Sequence, residues 1–188
     1  PEEVTFIGSF AFSSCEKFTD INIPDKVTYI GLMAFYNCTD VTSITIPDNV
    51  TYIGPNAFSN TAFYNDSANW EKEVLYIGNH LIRVDASETS EYAIKSGTKS
   101  IACGAFSYSK GVTSIIIPDS VTSIGNKAFY NCTGLESVDF EGNTEITSVG
   151  YQAFYGCESL KSVKMGNAVK TIGSEAFWEC KSLESVQL

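Results

Sequence analysis

His80 and six cysteines are the side chains here best suited to nucleophilic, redox or metal chemistry. A Ser-His-Asp triad or a Cys-His pair needs an imidazole with convergent partners. His80 is the only histidine, and next to Gly78-Asn79 it is expected to sit at a hairpin tip, so no catalytic role is expected of it. Cys15, Cys38, Cys132, Cys157 and Cys180 each stand three residues after a phenylalanine, and Cys103 lies outside that pattern. Catalysis would then require five equivalent nucleophiles. Zinc sites commonly pair cysteines two to four residues apart, whereas these are a repeat apart. The expectation is therefore buried, reduced thiols acting as small hydrophobes. Asp25, Asp48 and Asp119 each follow a proline and read as turn residues rather than a calcium ladder. The chain has no Gly-rich phosphate loop, no H-E-x-x-H and no EF-hand spacing. Four Asn-x-Ser/Thr triplets, at Asn37, Asn49, Asn65 and Asn131, carry no inference, because three are by-products of a repeat. The reading is a non-enzyme with no cofactor and no metal.

What must position these residues is that repeat. Ala-Phe stands at Ala11, Ala34, Ala57, Ala105, Ala128, Ala153 and Ala176, at 23-residue steps with one of 25 and one gap of 48. A period of 20–50 residues marks a stacked architecture, in which each coil leans on its neighbours. The expected domain is one solenoid over 1–188, interrupted at about 62–86. Both ends look cut, and a piece of a longer protein is expected.

Within one coil, Val41, Ile44 and Ile46 alternate with polar Ser43 and Thr45, the period of a half-buried strand. Pro47 ends it, since proline has no N–H for a ladder. Asp48-Asn49 turns the chain, and Val50, Tyr52 and Ile53 make a second short extended stretch. Gly54 turns it again, and Ala57-Phe58 falls in a helical or 3₁₀ turn. Stacking converts each position into a column, with Ile, Val and Leu filling the core and Phe forming a spine.

The pattern Leu-x-x-Ile-x-Ile-Pro-x-x-Val-x-x-Ile-Gly-x-x-Ala-Phe-x-x-Cys resembles the 23-residue leucine-rich repeat of BspA-like and Treponema-type proteins, over about 4–61 and 87–188. The resemblance implies a leucine-rich-repeat solenoid, horseshoe-shaped or nearly straight, with a parallel sheet on its concave face. It also implies an extracellular or cell-surface location and a protein or glycan ligand on host matrix or cells. A spacer solenoid carrying other domains is the alternative.

Between the two repeat blocks, Val74–Ile77 and His80–Val84 flank Gly-Asn, the signature of an inserted β-hairpin. Inserted loops can serve recognition; this one can equally just fill a degenerate coil. Two outward columns vary while their neighbours repeat. One is Asn22, Thr45, Ile116, Asp139, Lys164 and Gln187; the other is Thr19, Thr42, Thr113, Glu136, Lys161 and Glu184. They form the candidate partner-binding face. A third column, Asp20, Ser43, Ser114, Ser137, Ser162 and Ser185, is nearly all serine, which suggests a packing or hydrogen-bond need. A formal net charge of −10 disfavours nucleic acid and anionic membranes as partners. No apolar run reaches the ~20 residues that span a bilayer, so no membrane insertion is expected.

Overall fold

A computed structural model describes residues 2–85, 91–140 and 142–187. Pro1, Leu188 and Ala86, at the end of the expected insertion, lie outside the described residues. Outside the hairpin, a coil contributes one three-residue strand to a first face and one two-residue strand to a second. On the first face, Asp20–Asn22 pairs parallel with Ser43–Thr45. A separate five-stranded parallel ladder there joins Glu91–Ala93, Ser114–Ile116, Ser137–Asp139, Ser162–Lys164 and Ser185–Gln187 in that order. The middle residue of each strand points inward and its flanks point out, as a period of two requires. Val138 is thus buried between exposed Ser137 and Asp139.

The second face also has two parts. Phe6–Ile7, Tyr29–Ile30 and Tyr52–Ile53 form one parallel sheet. Seven strands form the other. Trp70–Glu71, Val74–Ile77 and His80–Val84 make an antiparallel meander, and Ser100–Ile101, Ser123–Ile124, Ser148–Val149 and Thr171–Ile172 continue it in parallel.

The chain passes between faces through tight turns. Val50 N–H donates to Pro47 O at 3.1 Å, closing the turn after the strand proline. Around Ala57-Phe58, i→i+3 bonds run from Ala57 to Gly54, Ser59 to Asn56 and Thr61 to Phe58. These are 3₁₀-type bonds, as expected for the Ala-Phe turn. Left-handed residues alternate through it, with Asn56 at φ 55° and Asn60 at φ 62°. Asn tolerates that region better than most residues. The glycine before the turn, at Gly31, Gly54, Gly125, Gly150 and Gly173, answers to space instead: a Cβ on Gly150 would lie 2.6 Å from Asn126 N in the preceding coil. The glycine column therefore lets adjacent coils approach to ladder distance.

Stacking produces a ring spine on the inside of the turns. Phe12, Phe35 and Phe58 stack at 5.2 and 5.6 Å. Phe106, Phe129, Phe154 and Phe177 stack at 4.9, 4.9 and 5.2 Å. Between the runs, Tyr92 meets Phe106 edge-on at 72°. The buried side chains likewise form two clusters, one per run. The hairpin is the wall between them. Leu75, Ile77 and Ile82 belong to the N-terminal cluster, while Val74, Leu81 and Val84 belong to the C-terminal one. The expected hairpin is present, and it is a partition built into the core rather than an appended loop.

Candidate interaction face

The register places the expected columns as follows. Ile116, Asp139, Lys164 and Gln187 are direct cross-strand neighbours, all exposed. Asn22 and Thr45 are neighbours in the separate two-stranded sheet, so the hairpin splits this column in two. Ala93 extends the longer piece beside Ile116, and Glu91 stands beside Ser114. Neither is among the expected residues, although 91–93 falls where the repeat has resumed.

The second column tracks it just before each strand. Glu136 N–H donates to Thr113 O at 2.8 Å, Lys161 to Glu136 O at 3.1 Å and Glu184 to Lys161 O at 2.9 Å. Thr42 N–H donates likewise to Thr19 O at 2.9 Å in the N-terminal stack. The Lys161 ammonium lies 2.6 Å from the Glu136 carboxylate. That hydrogen bond and charge raise the lysine pKa. Such an exposed, screened pair adds little stability and leaves both groups available to a partner. The serine column is solvent-facing rather than packed, only Ser114 being half-buried. Residues two apart on a strand share a face, so the serines lie alongside the variable column. The face is a polar lattice carrying exposed Ala93 and Ile116 and mixed charge.

His80 is not at a hairpin tip in the structure. It opens the strand His80–Val84 and is fully buried. It is held between Ile77 and Ser100 by strand pairing on both sides, and the Pro47 turn covers it. Nε2 lies 3.0 Å from Pro47 O and Nδ1 lies 2.8 Å from Ser100 Oγ. A carbonyl can only accept, so Nε2 carries the proton and Nδ1 accepts from the serine hydroxyl. Burial lowers the imidazole pKa, against the opposing pull of the Pro47 bond and the Asp48 charge. Both nitrogens are used in joining the two stacks. Asn79 Nδ2 to Asp48 Oδ1 at 2.9 Å, Ser123 Oγ to Thr51 O at 2.7 Å and Cys103 N to Ile53 O at 2.9 Å add to this seam.

The cysteine column has a feature beyond apolar filling. Cys38, Cys132, Cys157 and Cys180 donate through Sγ, at 3.0–3.1 Å, to the carbonyls of Phe12, Phe106, Phe129 and Phe154. Each thiol thus links its coil to the one before. Burial raises the Cys103 and Cys38 pKa values and pushes Cys180 up to about 11. Held protonated, these are poor nucleophiles. Asp25, Asp48 and Asp119 are exposed turn residues. Among the described residues no group of three or more His, Cys, Asp or Glu side chains could hold a metal ion, and no helix is long and apolar enough to cross a membrane.

With this geometry in place, comparison with known proteins is direct. The model of the BspA type leucine rich repeat region matches 1–83 and 84–188, in six copies. Among solved structures, a leucine rich cell surface protein of Faecalibacterium prausnitzii aligns at 26% identity with TM-score 0.54, covering 96% of this chain and 62% of its own. A leucine-rich repeat protein of Bacteroides ovatus aligns at 31% identity with TM-score 0.47, covering 98% and 41%. One from Bacteroides capillosus aligns at 23% identity with TM-score 0.51, covering 61% and 97%. The chain thus spans less than two thirds of the length of the first two. No curated protein matches it.

Proposed function

Because the chain belongs to the BspA-type leucine-rich repeat family, we propose that it is a non-enzymatic binding module of an extracellular or cell-surface protein, engaging a protein or glycan ligand through its first face. The reading takes residues 1–188 as one solenoid domain, its two cores sharing the hairpin strands. The carrying observation is the lattice of Ile116, Asp139, Lys164 and Gln187 beside Thr113, Glu136, Lys161 and Glu184. There the side chains differ from coil to coil on an otherwise repeating frame. Such a face offers many small contacts, and its mixed charge suits orientation and selectivity more than raw affinity. Similarity to a cell surface protein of Faecalibacterium prausnitzii supports the location.

The near-identity of the coils favours a second reading, a spacer whose exposed lattice is plain solvated surface. A binding screen separates them. The chain is immobilised and exposed to collagens, fibronectin, fibrinogen, laminin and a neutral glycan panel at micromolar concentration. A binding module gives saturable binding to at least one. Silence across the panel for both the chain and its longest natural form refutes the binding reading.

A further inference from the structure

The insertion holds a concavity that the repeat does not explain. The short helix Ala62–Asn65 and the 3₁₀ turn Ser67–Asn69 contribute no buried residue. Phe63, Tyr64 and Trp70 pack part-buried against the N-terminal core, and the local bonds fix two of these rings at its edge. Thr61 caps the helix, its Oγ accepting from Tyr64 N at 3.0 Å. Asn69 Nδ2 donates to Phe63 O at 2.9 Å, and Trp70 Nε1 donates to Tyr64 O at 2.8 Å. The Tyr64 and Trp70 rings meet at 85° with centroids 5.5 Å apart, both half-exposed. The result is a pre-set aromatic corner. Opposite it, Asp85 N donates to Glu73 O at 2.8 Å, bringing two carboxylates to the same rim. Asn65, Ser67 and Lys72 complete the lining of an open depression of about 580 Å³.

We propose that this concavity binds an uncharged pyranose residue of a glycan. Its volume lies in the range of small-molecule sites. The C–H face of a pyranose is apolar and weakly positive, complementary to the negative face of an aromatic ring. The rim supplies both kinds of polar partner. Asp85 accepts from hydroxyls, Lys72 donates, and Asn65 does both. A polyhydroxylated ligand answers all three. An ammonium group answers only the acceptors and is repelled by Lys72. An anionic sugar meets two carboxylates on a chain of net charge −10. The site is separate from the first-face lattice, so either can fail without the other.

The test uses the full chain carrying Trp178→Phe, which leaves Trp70 as the only tryptophan of the two. Its fluorescence is titrated with neutral mono- and disaccharides and, separately, with N-acetyl-lysine methylamide as a cationic probe. A saturable change with at least one neutral sugar is expected, with Kd on the order of 0.1–10 mM for so small a ligand. Asp85→Asn, an isosteric change at an exposed site, should weaken that binding at least tenfold with the thermal midpoint unchanged. Trp70→Ala should abolish it, read by saturation-transfer NMR. No response to any neutral sugar at 50 mM (about five times the weakest expected Kd), response to the lysine probe alone, or sugar binding that survives both substitutions would each overturn the proposal.

Discussion

Phe129→Ala tests whether in-register stacking holds the coils together. Phe129 is fully buried and has stacked rings on both sides, Phe106 and Phe154, each at 4.9 Å. Truncating a buried Phe costs about 3–5 kcal/mol in lost transfer energy and residual cavity. Each aromatic pair adds about 0.5–1.5 kcal/mol beyond area. With two pairs lost and rigid coils above and below to keep the cavity open, a cost of about 4–5 kcal/mol is expected. Phe177 occupies the same column against the same cluster, but it is half-buried and has one stacked neighbour, Phe154 at 5.2 Å. Phe177→Ala should cost about 2 kcal/mol, since only part of the ring leaves water and one pair is lost. Urea unfolding followed by circular dichroism measures both. Domains of this size hold only about 5–15 kcal/mol in total, so a gap of about 2 kcal/mol separates the midpoints clearly. Equal costs at the two positions, or a larger one at Phe177, would refute the stacked-column account.

Two other predictions concern buried polar groups. His80 has a folded pKa below its ordinary 6.5 because burial disfavours the charged ring. The unfolded chain therefore binds the proton more tightly, and stability rises with pH across the window between the two values. The contribution is complete above about pH 6.5 and is lost as pH falls from there toward the lowered folded pKa. The difference in thermal midpoint between wild type and His80→Gln should shrink over pH 7 to 5, and a pH-independent difference would contradict this. For the thiols, alkylation of urea-unfolded protein without reductant should modify all six cysteines. In the native state only half-buried Cys15 should react promptly, since Cys180, also half-buried, is held protonated; fast native labelling of Cys132 or Cys157 would contradict their burial.

Much of the fold was legible in the sequence because a repeat multiplies weak signals. One Ile-x-Ile-Pro proves little, yet its recurrence at the spacing of Ala-Phe fixes the two faces, the turns and the core columns together. The strand register follows from the same interval, as in Ser114 opposite Ser137. Where the interval fails, so does the reading. Ala62-Phe63 repeats the dipeptide five residues after Ala57-Phe58, but it opens a short helix, and Phe63 N donates to Val41 O at 2.7 Å. His80 looked like a tip residue because local alternation cannot show that a distant turn, at Pro47, covers it. The division of the candidate face at the hairpin was hidden for the same reason. Leu75 and Val74 alternate as in any strand, and only the tertiary structure shows that they serve different cores. The Tyr64–Trp70 corner had no periodic signal at all, since it depends on side-chain to main-chain bonds within one irregular segment.

The account's central claim is that recognition resides in the variable lattice of the first face. It is tested most directly by removing the variation and keeping the frame. Glu136→Thr, Asp139→Ser, Lys161→Thr and Lys164→Ser combined replace four exposed side chains with residue types already common on that face, and the net charge is unchanged. A second-face set, Thr122→Ser, Thr147→Ser and Lys170→Ser, which makes the net charge more negative by one, serves as control. Against whichever matrix protein or glycan binds wild type in the screen and still binds the Trp70→Ala variant, the first set should weaken binding at least tenfold with an unchanged urea midpoint, and the control should not. Full binding by the first-face variant would contradict the claim.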